Sequence, residues 1–317
     1  MNFLVLVLSS QLLYYLLIAQ TGVVGAFDSH IYDLYTLPIG GVIGTLLSAY
    51  WKHRWIKVEL YFLFVIQIII SWFYPDYSLE MLLVLGFVVG YTTPLLLYLF
   101  GAQSHFKLAL GLAISYVVGT ALYTTPFSMR GDIALLLPLI SVVALLLTRL
   151  SAVESPVKGN LDWRIVVMMM VWIFADSALF ETLSRSGSMD IWSHYTLLIL
   201  TSHVLGVYLA YRYKKSFTSQ GWVILTLFIL SYMSYYLHYS LVLAIVYPLV
   251  ISYYNVLLFR TLVEIRDIRL IALSMVGVGW IATSVANAVA LTHQLWVVVA
   301  VLTLFGFVYP FYFRRVV

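Results

Sequence analysis

The feature that most constrains this chain is a series of apolar stretches, each ~17–25 residues long, separated by short polar segments. Charged residues make up only 9% of its 317 positions, whereas a water-soluble domain carries about 25%. The core of a bilayer holds no water for backbone N–H and C=O groups, so only helices or closed barrels can span it. The stretches lack the polar–apolar alternation of barrel strands. The sequence therefore predicts an all-α membrane protein.

The hydropathy pattern predicts twelve transmembrane helices on the two sides of a polar cytoplasmic linker, 151–162. The first six are predicted at about 3–27, 33–51, 58–74, 79–100, 107–126 and 132–150. The last six are predicted at about 163–184, 190–212, 217–237, 239–260, 268–291 and 293–313. We therefore expect two six-helix bundles, an N-terminal one at 1–150 and a C-terminal one at 163–317.

The basic residues predict the orientation of the helices. With both termini in the cytoplasm, 15 of the 17 Lys and Arg residues fall on the cytoplasmic side, and only Arg130 and Arg185 fall outside. Short loops with such an excess of positive charge stay on the inside of the membrane. We expect a multi-pass protein of a prokaryotic inner membrane. Because the positive charge sits in short loops between spans, nucleic acid is not an expected partner.

The two predicted bundles resemble each other in sequence. When the second half is shifted by 162 residues onto the first, several identical residues align. The predicted helix boundaries and the charged loops of the two halves then coincide as well. The aligned pairs are Asp28 with Asp190, Gly44 with Gly206, Lys52 with Lys214, Tyr74 with Tyr236 and Tyr91 with Tyr253. A repeat of six spans has the same orientation in both copies, so the halves should be related by an axis along the membrane normal.

Two loops carry a recognisable pattern. The chain reads GTLLSAYWKHR from Gly44 and GVYLAYRYKKS from Gly206. Both segments resemble the major facilitator superfamily signature between helices 2 and 3, Gly-x-Leu-x-Asp-x-x-Gly-Arg-Arg/Lys. The glycines and basic pairs match, but Ser48 and Ala210 stand in place of the aspartate. The fourth predicted helix also lacks the arginine of that superfamily, so the chain resembles a compact, divergent member.

This resemblance implies a secondary transporter in which two halves rock about a central solute site. It also implies that the two matching loops shape a cytoplasmic gate. The gate residues would be Gly44, Lys52, Arg54, Gly206, Lys214 and Lys215.

Asp176 is the most central acid of the predicted helices, 13 residues past Trp163 and therefore about 20 Å along its helix. Its neighbours on that helix are apolar, and burial among them favours the neutral carboxyl. Such a group can bind and release a proton. The offset of 162 pairs Asp176 with Tyr14, and the first and seventh helices line the cavity in the superfamily. Asp176 is thus a candidate for proton coupling or cation binding, or else a carboxyl that joins helices.

Glu181 and His203 are further candidates for proton coupling or cation binding. Arg185 follows Glu181 by four residues, which brings the two side chains together on a helix. A water-exposed ion pair is the favoured interpretation of this spacing. His203 could relay a proton near neutral pH, or it could be a neutral side chain hydrogen-bonded between helices.

Uncharged polar side chains within the predicted helices could line a substrate cavity. They would suit a neutral, amphipathic or cationic solute, and the absence of Lys or Arg at membrane depth disfavours a small anion. Their alternative role is to form hydrogen bonds between helices. These residues are Gln11, Tyr14, Tyr91, Thr93, Tyr253, Asn255 and Asn287.

Metal and cofactor chemistry are not predicted. Met168, Met169 and Met170 point around a helix about 100° apart and cannot converge on one ion. The chain lacks a nucleotide-binding motif, so we expect no cofactor and no direct use of ATP. The expected partners are a small solute, protons and the lipid bilayer, and the expected state is a monomer. The competing classes are a membrane enzyme acting on lipid-linked substrates and a non-transporting receptor on the same fold.

Overall fold

The computed structural model describes residues 3–26, 33, 35–149, 161–185, 189–213 and 216–313. All the regular secondary structure of these residues is helical, which confirms the all-α prediction. The chain forms two compact units. Unit 1 comprises Met1–Asn160 and Phe259–Val276, and unit 2 comprises Leu161–Leu258 and Gly277–Val317.

The helices of the first sequence half begin with α1 (Leu4–Tyr14), which runs through a π-helical turn, Tyr15–Gln20, into α2 (Thr21–Ala26). Further helices are α3 (Thr36–Tyr50), α4 (Ile56–Ser71), α5 (Leu79–Phe100), α6 (His105–Tyr123) and α7 (Gly131–Leu147), with a 3-10 turn at Phe127–Met129.

The second sequence half contains α8 (Trp163–Arg185), α9 (Ile191–His194), α10 (Thr196–Arg212), α11 (Phe217–Tyr236) and α12 (Ser240–Glu264). After α13 (Ile268–Met275) a π-helical turn, Val276–Ile281, leads into α14 (Ala282–Leu291), and α15 (Trp296–Phe313) follows. α8 begins beside Asp162, whose carboxylate accepts hydrogen bonds from the backbone N–H and the guanidinium of Arg164. These bonds hold the pKa of Asp162 below its usual range.

Seven helical segments of the described residues are long and apolar enough to cross a bilayer: Leu4–Val23, Leu79–Phe100, His105–Tyr123, Trp163–Arg185, Phe217–Tyr236, Ser240–Glu264 and Ile268–Leu291. Four shorter apolar helices accompany them: Thr36–Tyr50, Gly131–Leu147, Thr196–Arg212 and Trp296–Phe311. The chain is therefore an integral membrane protein. Twelve spans in a 6+6 arrangement stay a prediction, because a helix of 15 residues covers only about 22 Å.

Glycines bring α3 and α5 of unit 1 into direct backbone contact. A Cβ atom at Gly44 would lie 2.2 Å from the carbonyl oxygen of Phe87, and one at Gly86 would lie 1.9 Å from that of Leu37. Only glycine tolerates this approach. Thr45 adds a hydrogen bond to the carbonyl oxygen of Gly90 at 3.0 Å. The spacings Gly40-x-x-x-Gly44 and Gly86-x-x-x-Gly90 are typical of close helix contacts, and the structure has such a contact at both.

Helices α10 and α12 of unit 2 cross in a related way. A Cβ atom at Gly206 would lie 2.5 Å from the carbonyl oxygen of Leu249. The offset of 162 residues found in the sequence relates Gly44 to Gly206, and it also relates Phe87 to Leu249. The two sequence halves therefore place equivalent residues in contact at equivalent helix crossings.

We expect Gly86→Ala to destabilise the protein by about 3 kcal/mol, because the new methyl group must push α3 away from α5. The measurement is the midpoint of thermal unfolding in detergent. Gly131→Ala is the matched control, since a Cβ atom there meets nothing within 4 Å. Equal stability of the two variants would contradict the assigned packing of α3 on α5.

Candidate functional site

The carboxylate of Asp176 on α8 is held by two tyrosines of α12. Tyr247 donates a hydrogen bond to Oδ1 at 2.8 Å, and Tyr254 donates one to Oδ2. Asp176 itself is half-buried, whereas both tyrosine side chains are buried. The two tyrosines are seven residues apart and so lie on one face of α12. Both carboxylate oxygens are thereby bound to hydroxyl donors.

Aromatic rings hold the Tyr254 side of this site in place. The ring of Tyr254 packs against Trp172 at 6.3 Å and against Phe228 at 5.7 Å between centroids. Tyr232 on α11 donates a hydrogen bond to the carbonyl oxygen of Ala175 at 2.7 Å. Contacts from α11 and α12 therefore fix the turn of α8 that carries Asp176.

The hydroxyl of Tyr247 has two acceptors within reach. It lies 2.8 Å from Oδ1 of Asp176 and 3.0 Å from the main-chain carbonyl oxygen of the same residue. When Oδ1 carries a proton, the hydroxyl can donate to the carbonyl and accept from the carboxyl. Both protonation states of Asp176 can thus remain hydrogen-bonded, so the carboxyl can gain or lose a proton without leaving an unpaired polar atom.

Glu181 does not form the water-exposed ion pair that its spacing from Arg185 favoured. Its side chain is 2% exposed, and the Arg185 guanidinium, 28% exposed, donates a hydrogen bond to Oε1. Glu181 lies on the buried face of α8, and Arg185 in the last turn of the helix supplies the charge that compensates it. A role in proton or cation binding stays a prediction.

His203 lies within unit 2, between α10 and α12. Its Nδ1 atom contacts the Oγ atom of Ser252, whose hydroxyl already donates to the carbonyl oxygen of Pro248 at 3.0 Å. Nδ1 is therefore the donor toward Ser252. The offset of 162 relates His203 and Ser252 to Gly41 and Gly90, so a polar side-chain contact here occupies the place of a glycine contact in unit 1.

The polar residues predicted in the first helix contact other helices of unit 1. Gln11 donates a hydrogen bond to Ser141 on α7 at 2.8 Å. The hydroxyl of Tyr14 lies 2.8 Å from that of Ser71 on α4. Tyr14 is fully buried, whereas Gln11 is partly exposed.

The remaining predicted cavity residues are more dispersed. Thr93 and Asn255 bond to main-chain carbonyls of their own helices, those of Val89 and Ile251. Tyr253 is buried on α12. Asn287 on α14 is partly exposed, and its buried Oδ1 atom has no hydrogen-bond partner among the residues that the structure describes.

The predicted gate residues fall into two groups. Gly44 and Gly206 form the backbone contacts described above. Lys52 and Arg54 are exposed beyond the end of α3. Lys214 and Lys215 lie outside the described residues.

Tyr91 lies beside the residues that follow α3. Its hydroxyl donates to Oε2 of Glu59 at 3.3 Å, and its ring packs edge-on against His53 at 6.0 Å. His53 is the second residue of the basic pair Lys52–His53 in the first matching loop, and Glu59 carries no motif in the sequence. His53 and Glu59 are six residues apart and separated by a loop, whereas the spacings that predict contact on one helix are three or four residues.

Arg130 was predicted to lie in an outer loop, but its side chain is buried, with only 5% of the residue exposed. Its guanidinium donates to the carbonyl oxygens of Leu17, Tyr123 and Thr125 and to the hydroxyl of Thr21, at 2.7–2.9 Å. Burial lowers the pKa of Arg130. The π-helical turn in the first helix carries Leu17, so Arg130 ties this irregular backbone to the segment after α6.

The described residues contain no group of three or more His, Cys, Asp or Glu side chains that could hold a metal ion.

No described protein family and no curated protein matches the sequence. The fold is similar to solved structures of symporters, each 15% identical to this chain. One is a major facilitator superfamily proton:xylose symporter, XylE, bound to 6-bromo-6-deoxy-D-glucose, with a TM-score of 0.62; the match covers 94% of this chain and 89% of that one. A second is a D-xylose-proton symporter, with a TM-score of 0.58 and a match that covers 92% of this chain and 89% of that one. A third is a double-tryptophan mutant of XylE, with a TM-score of 0.62 and a match that covers 99% of this chain and 94% of that one. The chain thus has the fold of that superfamily, and the proteins it matches are transporters rather than enzymes.

We expect Arg130→Met to lower the free energy of unfolding by on the order of 3 kcal/mol, because four oxygen atoms lose a charged donor. Thermal unfolding in detergent measures the loss. Arg54→Met removes the same charge at an exposed position of unit 1 and should change stability by less than about 0.5 kcal/mol. A stable Arg130→Met protein would show that the guanidinium is dispensable for packing.

Proposed function

We propose that this protein is a proton-coupled secondary transporter of a small solute in a prokaryotic inner membrane. Twelve helices form two six-helix halves, 1–150 and 163–317, joined by the linker 151–162, and both termini are cytoplasmic. The halves rock to expose a central site to each side of the membrane in turn, and the protein works as a monomer. The similarity of its fold to symporters and the equivalent helix crossings of its two halves support this proposal.

Asp176 is the proposed coupling residue, and the geometry of its carboxyl group is the observation that carries the proposal. The group is half-buried, and it lies in α8, a helix of 23 residues that is long and apolar enough to cross a bilayer. It can be hydrogen-bonded with or without a proton. An acid inside a membrane helix is costly, and one that is retained usually serves ion or proton movement. Glu181 and His203 are secondary candidates for the same role.

The solute is proposed to be neutral, amphipathic or cationic. Its cavity would be lined by Gln11, Tyr14, Tyr91, Thr93, Tyr253, Asn255 and Asn287, which offer hydrogen bonds without a fixed charge. Arg130, the buried cation of unit 1, is engaged by four oxygen atoms and so does not offer an anion site. Because the matched symporters carry xylose, pentoses and hexoses are the first solutes to test.

The gate is proposed to form where the second helix of each half ends. Gly44 and Gly206 let that helix cross the fourth helix of the same half at backbone distance, so each pair moves as a rigid body. The basic residues Lys52, Arg54, Lys214 and Lys215 follow these helices and would contact the cytoplasmic surface.

We expect Asp176→Asn to abolish solute accumulation driven by a pH gradient. A gradient of one unit is worth about 1.4 kcal/mol and can sustain about tenfold accumulation for one proton per solute. The asparagine side chain cannot carry the proton, so accumulation should fall to the equilibrium ratio while downhill exchange continues. The measurement is uptake of labelled solute by proteoliposomes, after a thermal-shift screen of sugars, amino acids and cationic drugs has named one that binds.

The control for this experiment is Glu80→Gln, which neutralises an exposed acid at the start of α5. It should leave accumulation at the wild-type value. If uptake by Asp176→Asn remains as dependent on the pH gradient as that of the wild type, Asp176 is not the coupling residue. If no solute is taken up by the wild-type protein either, the transporter proposal itself fails.

A further inference from the structure

We propose that His53 and Glu59, assisted by Tyr91, form a second proton-binding site, which lies in unit 1 and is separate from Asp176. One proton is shared between the imidazole and the carboxylate, and it fastens the end of α3 to α4 and α5. The site itself follows from the geometry of unit 1. Its use in proton coupling rests on the proposed function.

Both nitrogen atoms of His53 face oxygen atoms at hydrogen-bond distance. Nδ1 lies 2.7 Å from Oε2 of Glu59 on α4, and Nε2 lies 2.7 Å from the main-chain carbonyl oxygen of Ser48 on α3. The hydroxyl of Tyr91 on α5 reaches the same Oε2 atom at 3.3 Å. The imidazole therefore connects three helices through a single ring.

The chemistry of these partners determines how many protons the site holds. A carbonyl oxygen can only accept a hydrogen bond, so Nε2 must carry a hydrogen atom. A carboxylate oxygen also only accepts, and Tyr91 donates to it. A second proton must therefore lie between Nδ1 and Oε2. Turning the ring over would place the Cδ2–H and Cε1–H groups against these two oxygen atoms, and both hydrogen bonds of the ring would be lost.

The surroundings of the ring offer partners to an imidazolium. The side chain of His53 is 7% exposed and that of Glu59 is 19% exposed, so the pair is shielded from water. Ser48 lies in the last turn of α3, where unpaired carbonyl groups and the helix dipole attract a cation. An imidazolium at this position binds the helix end and the carboxylate simultaneously.

Other charged groups of the elements around His53 are directed elsewhere. Lys52 and Arg54 on either side of it are exposed. Lys57 on α4 donates to the carbonyl oxygen of Thr148 at 2.8 Å. Arg269 on α13, which packs against α3 and α5, lies over the ring of Tyr50. Glu59 is thus the carboxylate that faces the ring, and Tyr91 is its hydroxyl donor.

Loss of the shared proton would break the contact. With Nδ1 deprotonated, its lone pair would face a carboxylate oxygen at 2.7 Å, and the two would repel each other. The link is therefore present only while the pair holds the shared proton. The carbonyl oxygen in this link belongs to Ser48, which stands in α3 at the position of the aspartate in the superfamily signature.

The experiment is a pH titration of the histidine ring nitrogens by ¹⁵N NMR, on full-length protein in lipid nanodiscs without added solute. The chain has seven histidines, and His53→Gln assigns the signal of His53 by its disappearance. A parallel ¹³C measurement follows the carboxyl group of Glu59, assigned with Glu59→Gln. His105 is the internal control, because its contact with Glu264 at 3.4 Å joins two half-exposed side chains.

At pH 7 we expect the ¹⁵N and ¹³C signals to show a second proton between Nδ1 of His53 and Oε2 of Glu59. In Glu59→Gln the amide can donate to Nδ1, so His53 should become neutral near pH 7 while keeping its contact. A neutral His53 ring beside an ionised Glu59 at pH 7 would overturn the proposal. So would a His53 that titrates together with His105 in both the wild type and Glu59→Gln.

Tyr91→Phe provides a test if substitutions of the pair prevent folding. It removes the hydroxyl donor to the carboxylate, keeps the ring against His53 and should shift release of the shared proton to higher pH. An unchanged titration in Tyr91→Phe would contradict the assigned contacts. These titrations need no solute, so a result that contradicts the His53–Glu59 site would not contradict the transporter proposal. An absence of solute flux would likewise not contradict the His53–Glu59 site.

The pH dependence of thermal stability gives an independent measurement. As the pH is raised, the wild type should lose more thermal stability than Glu59→Gln, since only the wild type depends on the shared proton. His105→Gln should follow the wild-type curve. Parallel curves for the wild type and Glu59→Gln would argue that the pair holds no proton of structural consequence.

Discussion

The lack of water within a bilayer is the constraint on which the rest of this structure depends. It forces the backbone into helices, and it favours polar side chains at depth that bond to another helix or to their own backbone. Asp176 meets two tyrosine hydroxyls, His203 meets Ser252, and Tyr14 meets Ser71. The same constraint makes any group that can change its protonation state without losing its partners a plausible carrier of protons.

Close backbone contact between helices is the second organising feature. α3 lies on α5 through glycines, and α10 lies on α12 through Gly206. The repeat of one crossing at an offset of 162 residues connects the internal sequence similarity with packing. Helix pairs that touch through their backbones have little freedom to slide, so they can transmit a movement at one end to the other. This property suits the rocking halves that we propose for transport.

The two proposed proton sites solve the same chemical problem in different ways. Around Asp176 a tyrosine hydroxyl can exchange acceptors, so the charged and neutral carboxyl are both hydrogen-bonded. Around His53 both ring nitrogens face acceptors, so only the protonated pair is compatible with the contact. The first arrangement permits proton exchange with little rearrangement. The second couples proton loss to separation of the helices that it joins.

The amino-acid sequence by itself determined the membrane setting, the helical class, the family of folds and the close approach of the glycine-bearing helices, because hydropathy and small-residue spacing are local along the chain. It also marked Asp176, the most central acid. Only the tertiary structure decided the partners: Tyr247 and Tyr254 for Asp176, Glu59 for His53, and the burial of Glu181 and Arg130. These contacts join residues 6 to 113 positions apart. Which polar groups meet across helices depends on helix rotation and packing, and a single sequence does not encode that in any short-range pattern.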